Sequence, residues 1–149
     1  MKTIHAAIDF SDSSPDVLRW AGRLAERFEA RVEAVHVVHD LAAYTGIYLT
    51  DRPLDQLQTD LEVEAEEKLL WHVREALGER ADVATRILRG QPSAALLGHA
   101  KATGADLIVI GCHGVDRPEH RVTGSTVLRI QRESPCPVLV VGQDEEPHR

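Results

Sequence analysis

The chain has 149 residues, 43% hydrophobic and 28% charged, with 17 Lys and Arg against 24 Asp and Glu for a formal net charge of −7. That is the length of one ordinary domain and a globular composition, which excludes a disordered tail, a collagen-like repeat and a small disulfide scaffold. The negative balance disfavours non-specific DNA or RNA binding, yet backbone amides can still hold a small phosphorylated ligand without net positive charge.

Aromatic residues are only 4% of the chain, so its core must be built from Val, Leu, Ile and Ala. In chain order, a first strand is predicted at Thr3–Ile8, rich in β-branched and small residues. Ser14 and Pro15 then open a helix in which Val17, Ala21, Leu24 and Phe28 step 4, 3 and 4 along one face. A second strand follows at Arg31–Val38. The stretch Asp40–Arg52, with Gly46 and two tyrosines, reads as an irregular connector rather than a mobile lid. The longest helix starts near Pro53, with Leu54, Leu57, Leu61, Ala65, Leu69, Val73 and Leu77 as its stripe and Gly78 as its stop. Strand Val83–Leu88 comes next, then a helix from Pro92 to about Gly104. Strand Leu107–Ile110 and a helix from about Ser125 to Glu133, stopped before Pro135 and Pro137, lead to the last strand, Val138–Val141.

Strands alternating with helices imply right-handed crossovers and an α/β fold. The expectation is a single domain over residues 1–149, an open parallel five-stranded sheet of Rossmann-like or flavodoxin-like kind with helices on both faces. In the order 3-2-1-4-5, the ligand crevice lies at the carboxyl ends of the first and fourth strands, where Asp9 and Gly111 fall. No apolar run approaches the ~20 residues of a membrane span, and no leader is recognisable, so a cytoplasmic protein without membrane insertion is expected. Cys112 and Cys136 match no zinc or redox spacing.

One motif carries chemistry. From Ile110 the chain reads I-G-C-H-G-V-D-R-P-E-H-R-V-T-G-S-T, in which Gly111 and Gly114 are followed after nine residues by Gly124 and Ser125. Glycines allow positive φ and close backbone approach. The second group sits at a predicted helix start, where free amides and the dipole attract phosphate, and Ser125 and Thr126 add hydroxyls. No G-x-x-x-x-G-K-[ST] occurs, and the turn Asp9–Ser14 contains no glycine, which excludes a P-loop and the usual dinucleotide fingerprint.

These residues resemble the universal stress proteins, in particular their ATP-binding branch, whose pattern G-2x-G-9x-G-[ST] is matched by Gly111, Gly114, Gly124 and Ser125. Ala7-Ile8-Asp9-Phe10-Ser11, Val35-His36-Val37-Val38, Gly90-Gln91-Pro92, Ala105–Gly111 and Ser134–Val141 are similar to other blocks of that family, so the resemblance covers nearly the whole chain. It implies an ATP site, with ADP or AMP as alternatives and Mg2+ held through the phosphates. Asp9, beside Ala7 and Ile8, would contact the ribose or base edge, and Val37 the adenine. Ile110, Gly111 and Gly114 would line the phosphate turn, with Gly124, Ser125 and Thr126 holding the phosphates. It further implies a homodimer through the C-terminal strand and a nucleotide-dependent stress-response role with an unidentified protein partner. A slow ATPase or nucleotide-transferring enzyme, and a scaffold dimer with structural nucleotide, are the alternatives. The chain departs from the family in Val115–Thr123, where Asp116, Arg117, Pro118, Glu119, His120 and Arg121 replace residues that are often aliphatic.

Other residues carry plainer readings. Asp9, Asp12 and Asp16 are not a phospho-acceptor cluster, because no lysine follows Val141. His36, His39, His113 and His120 lack the i, i+4 spacing of a helical metal pair, so no metal ligands are assigned. Cys112 reads as a structural thiol, and the seven acids between Asp51 and Glu67 as a solvated helix face. No Ser-His-Asp or Cys-His set and no carboxylate pair stands out, so any ATP hydrolysis is expected to be slow and incidental.

Overall fold

A computed structural model describes residues 1–44, 53–80, 82–112 and 123–142. Its strands are β1 (Thr3–Ala7), β2 (Arg31–Val38), β3 (Val83–Arg89), β4 (Leu107–Gly111) and β5 (Val138–Val141). They alternate with helices α1 (Ser14–Phe28), α2 (Leu54–Leu77), α3 (Pro92–Thr103) and α4 (Ser125–Glu133), and a short 3-10 turn, Leu41–Tyr44, follows β2. All strands pair parallel in the order β3-β2-β1-β4-β5, which is the order expected from the sequence. Among the described residues no helix is long and apolar enough to cross a membrane.

Two-residue alternation divides the core. Ile4, Ala6 and Ile8, Val32 and Ala34, and Leu107 and Val109 pack against Val17, Leu18, Ala21 and Ala25 of α1 and Leu69 and Val73 of α2. Ala7, Val35, Ile108 and Ile110 pack on the other face, with Leu96 and Ala100 of α3 and Val127 and Ile130 of α4. Ile4, Leu18, Leu69, Val109 and Ile130 are fully buried, each worth about 1.5–3 kcal/mol of transfer free energy. β4 is buried along all five residues, as its apolar sequence requires in a strand covered on both sides. β5 has the same apolar texture but stands at the sheet edge, with Val138, Leu139 and Val140 only half-buried.

The helical stripes are corrected at their ends. Phe28, the last position of the α1 stripe, is exposed because the helix stops there. In α2 the stripe reaches the core only from Ala65 onward. Leu54 is exposed, and the first buried side chain is Gln58. Gln58 accepts from the Leu41 amide at 2.8 Å and donates to the His39 carbonyl at 3.0 Å, tying the chain beyond β2 to α2. The acidic face of α2 is also more than a solvated surface. Glu62 pairs with Arg89 at 2.7 Å, and Glu66 accepts from the Thr85 hydroxyl at 2.7 Å, so both acids fasten α2 to β3.

Candidate functional site

The chain leaves β1 through a tight turn. The amide of Ser11 donates to Asp9 Oδ1 at 2.9 Å, and the Ser14 hydroxyl lies 3.4 Å from the same oxygen. Asp9 is therefore a turn-capping residue as well as a crevice residue. Both of these bonds fall on Oδ1, and the side chain is exposed. Phe10 follows in the left-handed region at φ 63°, a conformation costing a non-glycine residue about 1–2 kcal/mol. Ring contacts offset that strain. Phe10 stacks on His36 at 4.1 Å and on His72 at 5.2 Å, with Lys68 Nζ 4.6 Å from its ring centroid. His36 Nδ1 lies 2.6 Å from the Ile8 carbonyl, which can only accept, so the proton is on Nδ1. Burial, partly opposed by that hydrogen bond and by Asp9, holds the His36 imidazole below its ordinary pKa.

The two described motif glycines, Gly111 at the end of β4 and Gly124 at the start of α4, have different reasons to be glycine. A Cβ on Gly111 would stand 2.5 Å from Ser13 Oγ and 3.3 Å from Ser13 Cβ, so the α1 loop crosses directly against this backbone. Gly124 is the N-cap of α4 at φ −64°, ψ 156°. A Cβ there would meet nothing nearer than the Cys112 carbonyl oxygen at 3.9 Å. The positive φ anticipated for these glycines is therefore absent. Gly111 answers to close approach, and Gly124 to an open helix start, where its amide donates to the Cys112 carbonyl at 3.0 Å.

Between these elements lies a cavity of about 600 Å³, large enough for a nucleotide. Ala7, Ile8, Asp9, Val37, Ile110, Gly111, Gly124, Ser125 and Thr126 all line it, so nine of the ten anticipated site residues meet in one place. Gly114, the tenth, lies outside the described residues, as do Gly46, His113, His120 and the polar insert up to Val122. Its apolar lining includes Val35, Val37, Pro92 and Leu96, and its polar lining includes Asp9, Ser13, Ser14, Ser125 and Thr126. The described lining contains no lysine or arginine, and Asp9 is its one carboxylate. The lining offers apolar side chains against which a flat ring can pack, and hydroxyls and a helix N-terminus for an anion.

Sequence reasoning missed Ser13, Ser14, His36 and His39 as lining residues. Serines beside Asp9 at the start of α1 were a usable signal. His36 gave none, because a histidine within a strand does not announce that it will bond the neighbouring strand's last carbonyl. Cys112 is half-buried beside the cavity rather than enclosed in the core.

A model of the universal stress protein family matches residues 1–142. A curated relative, universal stress protein YxiE of Bacillus subtilis, is 33% identical over 141 residues, covering 91% of this chain and 95% of its own. Among solved structures, universal stress protein UspA from Lactobacillus plantarum is similar at 26% identity and TM-score 0.67, covering 94% of this chain and 97% of its own. The universal stress protein from Archaeoglobus fulgidus in complex with dAMP shares the fold at 22% identity and TM-score 0.60, covering 94% and 96%.

Proposed function

Since the chain belongs to the universal stress protein family, we propose that it binds an adenine nucleotide, ATP in the first place, and acts through its occupancy as a regulatory module. The observation that carries this reading is the convergence of Asp9, Val37, Gly111, Gly124, Ser125 and Thr126 on one cavity with apolar and polar lining. The base lies over Val35 and Val37, and Asp9 accepts from the ribose hydroxyls. The phosphates meet the free amides of α4 and the hydroxyls of Ser125 and Thr126, and Mg2+ binds through those phosphates. The dAMP complex of the Archaeoglobus fulgidus protein supports an adenine nucleotide as the ligand class. Phosphates held by amides and hydroxyls, with a single carboxylate in the described lining, favour holding a nucleotide over turning it over. The working form is a homodimer joined through β5, whose apolar residues are half-exposed at the sheet edge.

Calorimetry with ATP, ADP, AMP and adenosine, after mass spectrometry of what the denatured protein releases, tests the reading. Asp9→Ala should lose about 1.5–3 kcal/mol of affinity for every ligand carrying ribose. Gly124→Val should abolish ATP binding and spare most of the adenosine affinity, because a side chain there occupies the open helix start. Full ATP affinity in a folded Gly124→Val protein refutes the phosphate assignment.

A further inference from the structure

Beneath the cavity, three ionisable side chains meet inside the α3 face of the sheet. His5 of β1 pairs in register with Glu33 of β2, and each stands two residues before a cavity residue, Ala7 and Val35. His99 stands three residues after Leu96 on α3, so periods of two and three bring all three to one layer. His99 Nε2 is 2.6 Å from Glu33 Oε1, and His5 Nε2 is 3.8 Å from Glu33 Oε2. The imidazole rings stack at 4.9 Å. Thr103 Oγ1 lies 3.3 Å from His5 Nε2 and donates to the His99 carbonyl at 2.8 Å. Arg86, from the exposed side, reaches Glu33 Oε1 at 3.4 Å. One ligand atom from each of His5, Glu33 and His99 lies within 4.8 Å of the other two.

We propose that His5, Glu33 and His99 form a binding site for a divalent transition metal of the zinc class, with water as the fourth ligand. This rests on the cluster alone and not on the nucleotide reading. Two imidazoles and a carboxylate are a donor set that zinc takes, and a tetrahedral ion with bonds of ~2.0–2.2 Å sets its ligand atoms about 3.3 Å apart. The 2.6 and 3.8 Å separations end on different Glu33 oxygens, and one ligand atom from each residue lies within 4.8 Å of the other two, so a shared ion takes shifts of up to about 1.5 Å and a turn of one imidazole out of the stack. A hydrogen-bonded pair would need only one histidine. The second, His5, is 2% exposed and beyond hydrogen-bond reach of the carboxylate. Ligation takes one nitrogen lone pair from each imidazole, so protons compete for the site and affinity falls as the pH is lowered.

The test uses the full chain without an affinity tag, treated with a chelator and freed of nucleotide, and titrated with Co2+ as the probe. One equivalent should bind with the strong visible bands of four-coordinate cobalt, and Zn2+ should displace it. The melting temperature should rise with Zn2+ but not with Mg2+. His99→Ala and Glu33→Gln should each weaken Co2+ binding about 100-fold or more, whereas His39→Ala, in the cavity above, should keep the full equivalent. Four-coordinate bands absent from the wild-type protein would overturn the proposal, whatever the variants do. So would bands that persist in both ligand variants, or that vanish in His39→Ala.

Discussion

Among the described glycines the closest approach is at Gly111, and Gly111→Ala measures it. The added Cβ would stand 2.5 Å from Ser13 Oγ, 3.3 Å from Ser13 Cβ and 3.6 Å from Val17 Cγ2. Ser13 is 3% exposed, and its hydroxyl bonds the Ser11 hydroxyl at 2.9 Å, so it cannot swing into solvent without losing that bond. Breaking the bond costs about 0.5–1.5 kcal/mol, and forcing an extra methyl into a packed interior costs about 1–3 kcal/mol. Urea denaturation should therefore find Gly111→Ala about 1.5–4.5 kcal/mol less stable than wild type. Ser13→Ala removes the atom at 2.5 Å and leaves the 3.3 Å contact, so the double variant should recover part of the loss, with a coupling of about 1 kcal/mol or more. A single variant within about 0.5 kcal/mol of wild type, or strictly additive effects, would refute the close-approach reasoning.

Gly124→Ala should behave oppositely. With ordinary φ and nothing within 3.9 Å, it should stay within about 1 kcal/mol of wild type in the same denaturation assay, the difference being N-cap preference alone. His36 makes ligand-free stability fall on acidification. Its folded pKa lies below the unfolded value of about 6.5, so the unfolded chain binds the extra proton first and stability is lost as pH drops below that value. The slope is at most about 1.4 kcal/mol per pH unit for one such group, and it should flatten between pH 7 and 5 in His36→Gln, read by thermal melts. If the proposed β5 dimer forms, Val140→Lys on the edge strand should convert it to a folded monomer in light scattering, because it would place a charge inside the contact. Equal masses for the two would remove β5 as the interface.

The sequence exposes this fold unusually well where periodicity is uninterrupted. β2, β5 and α4 begin and end where branching, proline and helix-start signals place them. It misleads where a regular pattern outruns the surface it packs on. Leu54, Leu57 and Leu61 continue the α2 stripe, but none of them is buried, and the buried residue at that end is Gln58, held by the Leu41 amide and the His39 carbonyl. Part of the candidate site was legible from chain order, which puts Asp9 and Gly111 at strand ends and Gly124 at a helix start, whereas Val37 came only with the family resemblance. The His5–Glu33–His99 cluster was not legible. Its members are 28 and 66 residues apart and meet only once β1, β2 and α3 are in register. Phe10 was equally hidden, since its left-handed backbone depends on ring partners contributed by β2 and α2.

The position of the crevice follows from the handedness of the connections. β1 leads through α1 to β2 on one side of the sheet's centre, and β4 leads through α4 to β5 on the other. Right-handed crossovers running in opposite directions must place α1 and α4 on opposite faces, and the two core clusters show that they do. The loops leaving β1 and β4 therefore diverge, one toward each face, and a gap opens at the carboxyl ends of these adjacent strands. That divergence also assigns the two glycines their tasks. Gly111 shares the parity of Leu107 and Val109, which face α1, so it is the residue the α1 loop must cross, and Ser13 duly presses on it. Gly124 starts the helix on the far side of the gap, where the backbone has space and unpaired amides. The same motif thus contains one glycine pressed by the α1 loop at the cavity wall and one at an open helix start on the cavity's other side.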